Sequence, residues 1–267
     1  MKQTITATAI AIACTTLATA QNLPWNNPGG AQGQAAAPTG PAGAAPKRDI
    51  SGIWDAGGAG IGARGMQTAP LTPWGDMMGK THHSGDGARM VPADQINDPL
   101  STLADPGGFP RNLLFELRPF EVVQLPNKVL MLYMFEKRWR VIWTDGRQLP
   151  TSPDPRWYGY SVGHWEDDFT FVVNSNGTDE RTWLDNAGNP HSDQLKVEER
   201  YHRADRNTME LTVVIDDAKA YTRSWLGRDK LKLTLLPPTT DLMEMIPSAS
   251  EAASVRSIYA AEAAPKK

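Results

Sequence analysis

The run Phe120-Glu121-Val122-Val123-Gln124-Leu125-Pro126-Asn127-Lys128-Val129-Leu130-Met131-Leu132-Tyr133 holds two apolar, β-branched segments parted by Pro126-Asn127. Such side chains fit a pleated, half-buried surface and Pro-Asn breaks it, so the run predicts two antiparallel strands, 120–125 and 129–135. The pattern then repeats. Residues 138–144 lead into Asp145-Gly146, a strong hairpin signal. Further strands are expected at 157–165, 169–174, 194–203, 208–215, 219–226 and 230–236. Their connections, such as Glu166-Asp167-Asp168, Asn186-Ala187-Gly188 and Asp216-Asp217, are polar turns with no room for helices. Neighbouring strands therefore pair antiparallel as a meander, and closure removes the exposed edges. The expected fold is mainly β, an antiparallel meander closing into a lipocalin-like barrel or strongly curved sheet with short peripheral helices.

Toward the N-terminus, Ile50, Gly52 and Trp54 begin a short strand-like stretch, and Thr72-Pro73 with Trp74, Met77 and Met78 predicts one short helix over residues 70–80. Residues 81–109, rich in Gly, Pro and Asp, read as a long surface loop. Residues 21–48 are dominated by Gly, Ala, Pro, Gln and Asn, a composition that predicts a disordered leader. Before them, Lys2, an apolar run and Ala18-Thr19-Ala20 have the form of a signal peptide, 1–20, cleaved after Ala20. Export to the periplasm or beyond is the expectation, with one β-rich domain over 49–246 and a weakly ordered tail over 247–267. Residues 241–246 and 251–264 read as helical.

Composition narrows the partners. The formal charge is −3, with 27 basic residues scattered among 30 acidic ones, which gives neither nucleic acid nor an acidic membrane surface a concentrated basic patch. No other apolar run is long enough to span a bilayer. The single cysteine, Cys14, lies in the signal segment, so the mature chain has no disulfide. His82, His83, His164, His191 and His202 form no recognisable metal-ligand spacing, and Gly57 to Gly62 does not follow the dinucleotide pattern. Neither a metal nor a cofactor is expected.

Period-2 alternation assigns inward faces to Trp139, Val141 and Trp143 and to Met209, Leu211, Val213 and Ile215. On residues 195–203 the face that starts with Leu195 and Val197 continues with Glu199, Tyr201 and Arg203, which turns polar groups inward. The same mixture recurs at Tyr221, Arg223 and Trp225 and at Tyr158, Tyr160, Val162 and His164. Two readings stay open: a self-satisfying network, or the lining of a solvated cavity.

Gly159-Tyr160-Ser161-Val162-Gly163 spells the nucleophile-elbow pattern of serine esterases, with Asp185 and His191 following in order. The elbow needs a strand, a tight turn and then a helix, whereas strand-forming residues 169–173 follow Ser161 after a turn. Ser161 is thus expected within a strand, its flanking glycines allowing close packing and Tyr160 facing a cavity. His191, between Asp185 and Asp193, can serve as a general base or simply pin its loop. Trp139, Trp143, Trp157, Trp165, Trp183 and Trp225 serve either as core filler or as stacking surfaces for sugars.

Several stretches together resemble an uncharacterised exported bacterial family. They include Pro70-Leu71-Thr72-Pro73, Pro119-Phe120-Glu121-Val122-Val123-Gln124, Ile142-Trp143-Thr144-Asp145-Gly146-Arg147, residues 182–193 and Glu199-Arg200-Tyr201. The resemblance spans residues 50–245 and implies no established activity. In the family pattern a histidine more often stands at Tyr160, a glycine at Asp167 and an aspartate at Asn174.

The leading expectation is a protein that binds a small, partly apolar organic molecule in a barrel cavity. Tyr133, Trp143, Tyr160 and Trp225 would supply ring surface, with Glu199, Tyr201 and Arg223 orienting polar atoms. One alternative is acid/base chemistry with His191 as base, Asp185 orienting it and Tyr201 or Glu199 as acid. A carbohydrate-binding module is the other.

Overall fold

The computed structural model describes residues 42–61 and 67–263. The expected signal segment and most of the expected leader lie outside them. Nine strands close a barrel in chain order: β1 (Gly52–Asp55), β2 (Phe120–Leu125), β3 (Lys128–Tyr133), β4 (Trp139–Trp143), β5 (Tyr160–Trp165), β6 (Thr170–Asn176), β7 (Lys196–Arg203), β8 (Thr208–Asp216) and β9 (Trp225–Leu235), with β9 pairing β1. The mainly β, barrel-forming expectation is met.

One ladder differs from a pure meander. β4 and β5 run parallel, Trp143 facing Val162, while every other neighbouring pair is antiparallel. Strand direction can alternate all the way around a closed ring only if the strand number is even, so nine strands require one parallel neighbour pair. A parallel pair needs a connection that returns to the starting end. Here residues 144–159 make that return, and they lie against the end of β6, where the Asn176 Nδ2 donates to the Pro150 carbonyl at 2.8 Å and Arg156 N donates to Gly177 O at 3.0 Å.

The expected strand over 219–226 is largely absent. Asp217 accepts hydrogen bonds from Ala220 N, Ser192 N and Ser192 Oγ, folding that stretch into a turn whose backbone pairs with Pro70 and Thr72. β9 instead runs unbroken from Trp225 to Leu235, absorbing the misfit in register shifts against β8 and a left-handed Lys230 with φ 47°.

Helices flank the barrel. α1 (Pro73–Thr81) begins as expected, with Thr72 Oγ1 accepting from Gly75 N and proline in the first turn. The 81–109 loop contains α2 (Pro99–Leu103) and short 3-10 turns. α3 (Arg111–Leu114) is wholly buried, and Arg228 donates to the carbonyls of Leu113 and Leu114, satisfying acceptors that a short helix leaves unpaired. Residues 241–246 are irregular, contrary to expectation. The last helix, α4 (Ala249–Ala263), starts after Ser248, whose side chain exchanges hydrogen bonds with Glu251 as a capping box. Among the described residues no helix is long and apolar enough to cross a membrane.

The apolar core lies inside the barrel. Phe120, Val122, Met131, Phe171, Val173, Leu211, Val213, Ile215 and Leu233 are buried within it. The inward faces of β7 and β8 are the expected ones, Val197-Glu199-Tyr201-Arg203 and Met209-Leu211-Val213-Ile215.

Candidate functional site

β4 is turned over relative to expectation. Arg140 and Ile142 point into the lumen, whereas Trp139, 63% exposed, and Trp143 stand on the outer surface. A one-residue change of phase exchanges the faces of a strand, and the buried partner of Arg140 is what sets the phase here. Its Nη1 donates to Glu199 Oε2 at 2.9 Å and its Nη2 to Glu199 Oε1 at 2.5 Å. Arg140 also donates to Ser161 Oγ at 2.9 Å and Ser175 Oγ at 2.8 Å, and its guanidinium lies 4.0 Å from the centre of the Phe109 ring. The Tyr201 hydroxyl completes the set, donating to Glu199 Oε2 at 2.7 Å.

This layer spans β4, β5, β6 and β7 and leaves neither charge unpaired. Burial works against the Arg140 cation, but the charge and hydrogen bonds of Glu199 more than offset it and hold the guanidinium above its ordinary range. Burial, reinforced by the Glu199 charge, raises the Tyr201 phenol well above normal, so it remains a neutral donor. Tyr133 is also inward and buried, and desolvation raises its phenol too. Asn112 on α3 stands beside it with neither amide atom in a hydrogen bond.

Ser161 therefore lies in β5 as expected, but it is the inward residue. Tyr160 faces out, its ring 4.1 Å from the Arg156 guanidinium, which corrects the expectation that Tyr160 lines the lumen. The two glycines are packing devices. A Cβ on Gly163 would stand 2.5 Å from the Phe171 ring, and Gly159, at φ 58°, would place one 2.5 Å from Asn176 O.

Of the other expected ligand residues, Trp225 is buried and packs edge-on against Tyr221 at 5.3 Å, with its Nε1 unpaired. Trp143 is held outside between Lys128 and Arg147, whose guanidinium lies 3.6 Å from its ring centre. Arg223 is exposed in the turn before β9, because the alternation that placed it beside Tyr221 and Trp225 does not exist there.

The proposed acid/base pair is not joined. His191 sits with Nε2 2.7 Å from Thr182 Oγ1 and Nδ1 3.2 Å from Ser192 O. Asp185 accepts instead from Ala187 N, Asn189 N and Asn189 Nδ2, tying its own loop. Burial lowers the His191 pKa and raises that of Asp185. Glu199 and Tyr201 do meet, but as members of the Arg140 layer. No group of three or more His, Cys, Asp or Glu side chains among the described residues is placed to hold a metal.

A groove of about 610 Å3 lies elsewhere, on the outer wall. The connection through Leu149, Pro150 and Thr151 forms one side, and the outward residues Asn174, Asn176, Lys196, Glu198, Val214 and Asp216 of β6, β7 and β8 form the other. In the sequence these positions carry no mark beyond an ordinary solvated strand face; the β4–β5 connection supplies the facing wall. Comparisons with protein-family models, with curated proteins and with solved structures find no match for this chain.

Proposed function

We propose that the protein is exported, with residues 1–20 as its signal peptide, and binds a small, partly apolar organic molecule in the groove on the barrel's outer wall. The observation that carries this reading is the groove itself. Its volume of about 610 Å3 lies inside the ~300–1,000 Å3 span of small-molecule sites, and it sets apolar Leu149, Pro150 and Val214 beside polar Asn174, Lys196, Glu198 and Asp216. The lumen supports binding less well, because its charged groups already satisfy one another. The acid/base alternative required Asp185 to orient His191, and the two have separate partners.

The test is mass spectrometry of small molecules that co-purify with the protein and with Val214→Trp, which fills the groove without touching the lumen. A molecule present on the first and missing from the second supports the assignment. A molecule retained equally by both contradicts it.

A further inference from the structure

We infer that the groove takes a zwitterion, an amino acid or short peptide with free amino and carboxylate ends; this rests on the groove being the binding site. Lys196 on β7 stands directly opposite Asp216 on β8 in the ladder, yet among the described residues its ammonium makes no ion pair. Asp216 accepts a hydrogen bond from Ser224 Oγ at 2.8 Å and pairs with no cation. Glu198, in register with Asn174, has only a long 3.5 Å contact from Arg200, whose other arm is committed to Glu166. One wall thus offers one uncommitted cation and two weakly neutralised carboxylates.

Asn176 braces the groove. Its Nδ2 is spent on the Pro150 carbonyl at 2.8 Å, which ties β6 to the connection and holds the Pro150 side of the groove in place. The carboxylates of Glu198 and Asp216 are acceptors for an ammonium group, while Lys196 supplies the counter-charge for a carboxylate. A simple anion would meet Glu198 and Asp216, and a simple cation would meet Lys196; like charges repel. A molecule carrying both charges satisfies every group. Leu149, Pro150 and Val214 provide apolar surface for its side chain.

Titration calorimetry at neutral pH with the dipeptide alanyl-leucine, its N-acetyl form and its C-terminal amide tests this. The free dipeptide is expected to bind, with each capped form weaker by about tenfold or more, the loss typical of one good charge-assisted contact. Lys196→Gln should abolish the difference between the dipeptide and its amide, and Glu198→Gln with Asp216→Asn the difference between the dipeptide and its acetyl form. Equal binding of capped and free forms, or no binding of the free dipeptide, overturns the zwitterion assignment. If the dipeptide fails while Val214→Trp still sheds a co-purifying molecule, the groove reading survives. If the dipeptide binds the native protein and Val214→Trp alike, the groove reading falls with it.

Discussion

Arg140 of β4 and Glu199 of β7 meet inside the barrel through two hydrogen bonds of 2.9 and 2.5 Å, both side chains almost wholly shielded from water. Two strands lie between them, and each contributes a serine hydroxyl to the same guanidinium. The pair therefore binds four strands across the position where the barrel's one parallel ladder makes only a single residue pair.

Removing one partner should cost far more than removing both. Glu199→Ala leaves a buried, unpaired guanidinium and is expected to lower unfolding free energy by roughly 3–5 kcal/mol, whereas Arg140→Met with Glu199→Leu should cost much less, being often neutral in comparable buried pairs. Urea denaturation of the two variants beside the native protein measures this. A double variant as unstable as Glu199→Ala would contradict a mainly electrostatic role.

Tyr201→Phe should cost about 1.5–3 kcal/mol, the value of one hydrogen bond to a charged group, with the barrel unchanged by circular dichroism. A loss several-fold larger would mean that the hydroxyl does more than satisfy Glu199.

The glycine-flanked serine gives a second contrast. Gly163→Ala forces a methyl group into the Phe171 ring and Ile142 and should destabilise by ~1–3 kcal/mol through overpacking. Ser161 should not react with a fluorophosphonate probe, because its hydroxyl is buried on Arg140. Labelling of Ser161 would restore the nucleophile reading.

His191 makes stability pH-dependent in a defined direction. Burial depresses its pKa from 6.5, so the unfolded chain takes up its proton first as pH falls. Its contribution is thus constant above about pH 7 and destabilising as pH drops through 6.5 toward the lower folded value. His82, also depressed mainly by burial, adds with the same sign. Denaturation midpoints for the native protein and His191→Gln between pH 7 and 5 should show a shallower decline in the variant. Parallel declines would remove His191 as a source of acid sensitivity.

The sequence reading went furthest where a strand's two faces differ sharply in chemistry. On β8, Met209, Leu211, Val213 and Ile215 leave one choice, and on β7 the polar members Glu199 and Tyr201 ride on a face started by Leu195 and Val197. β4 misled because Trp139, Val141 and Trp143 form the more apolar face, while the true inward residue is a cation whose partner lies 59 positions away. Nothing local to Arg140 announces Glu199. The fold class survived because turn chemistry, not facing, separates one strand from the next, but parity and its parallel pair emerge only once closure and the exact number of strands are known. The groove was hidden for the same reason: Lys196, Glu198 and Asp216 are ordinary outward residues until Leu149, Pro150 and Thr151 form a wall beside them.

The location of the binding site is tested most directly by soaking crystals of the protein with a library of small-molecule fragments and mapping bound density. Density is expected to cluster between Pro150 and Val214, beside Asn174, Lys196 and Asp216, with the Arg140–Glu199 pair undisturbed. Density inside the barrel against Tyr133, Asn112 and Trp225, with the outer groove empty, would contradict it.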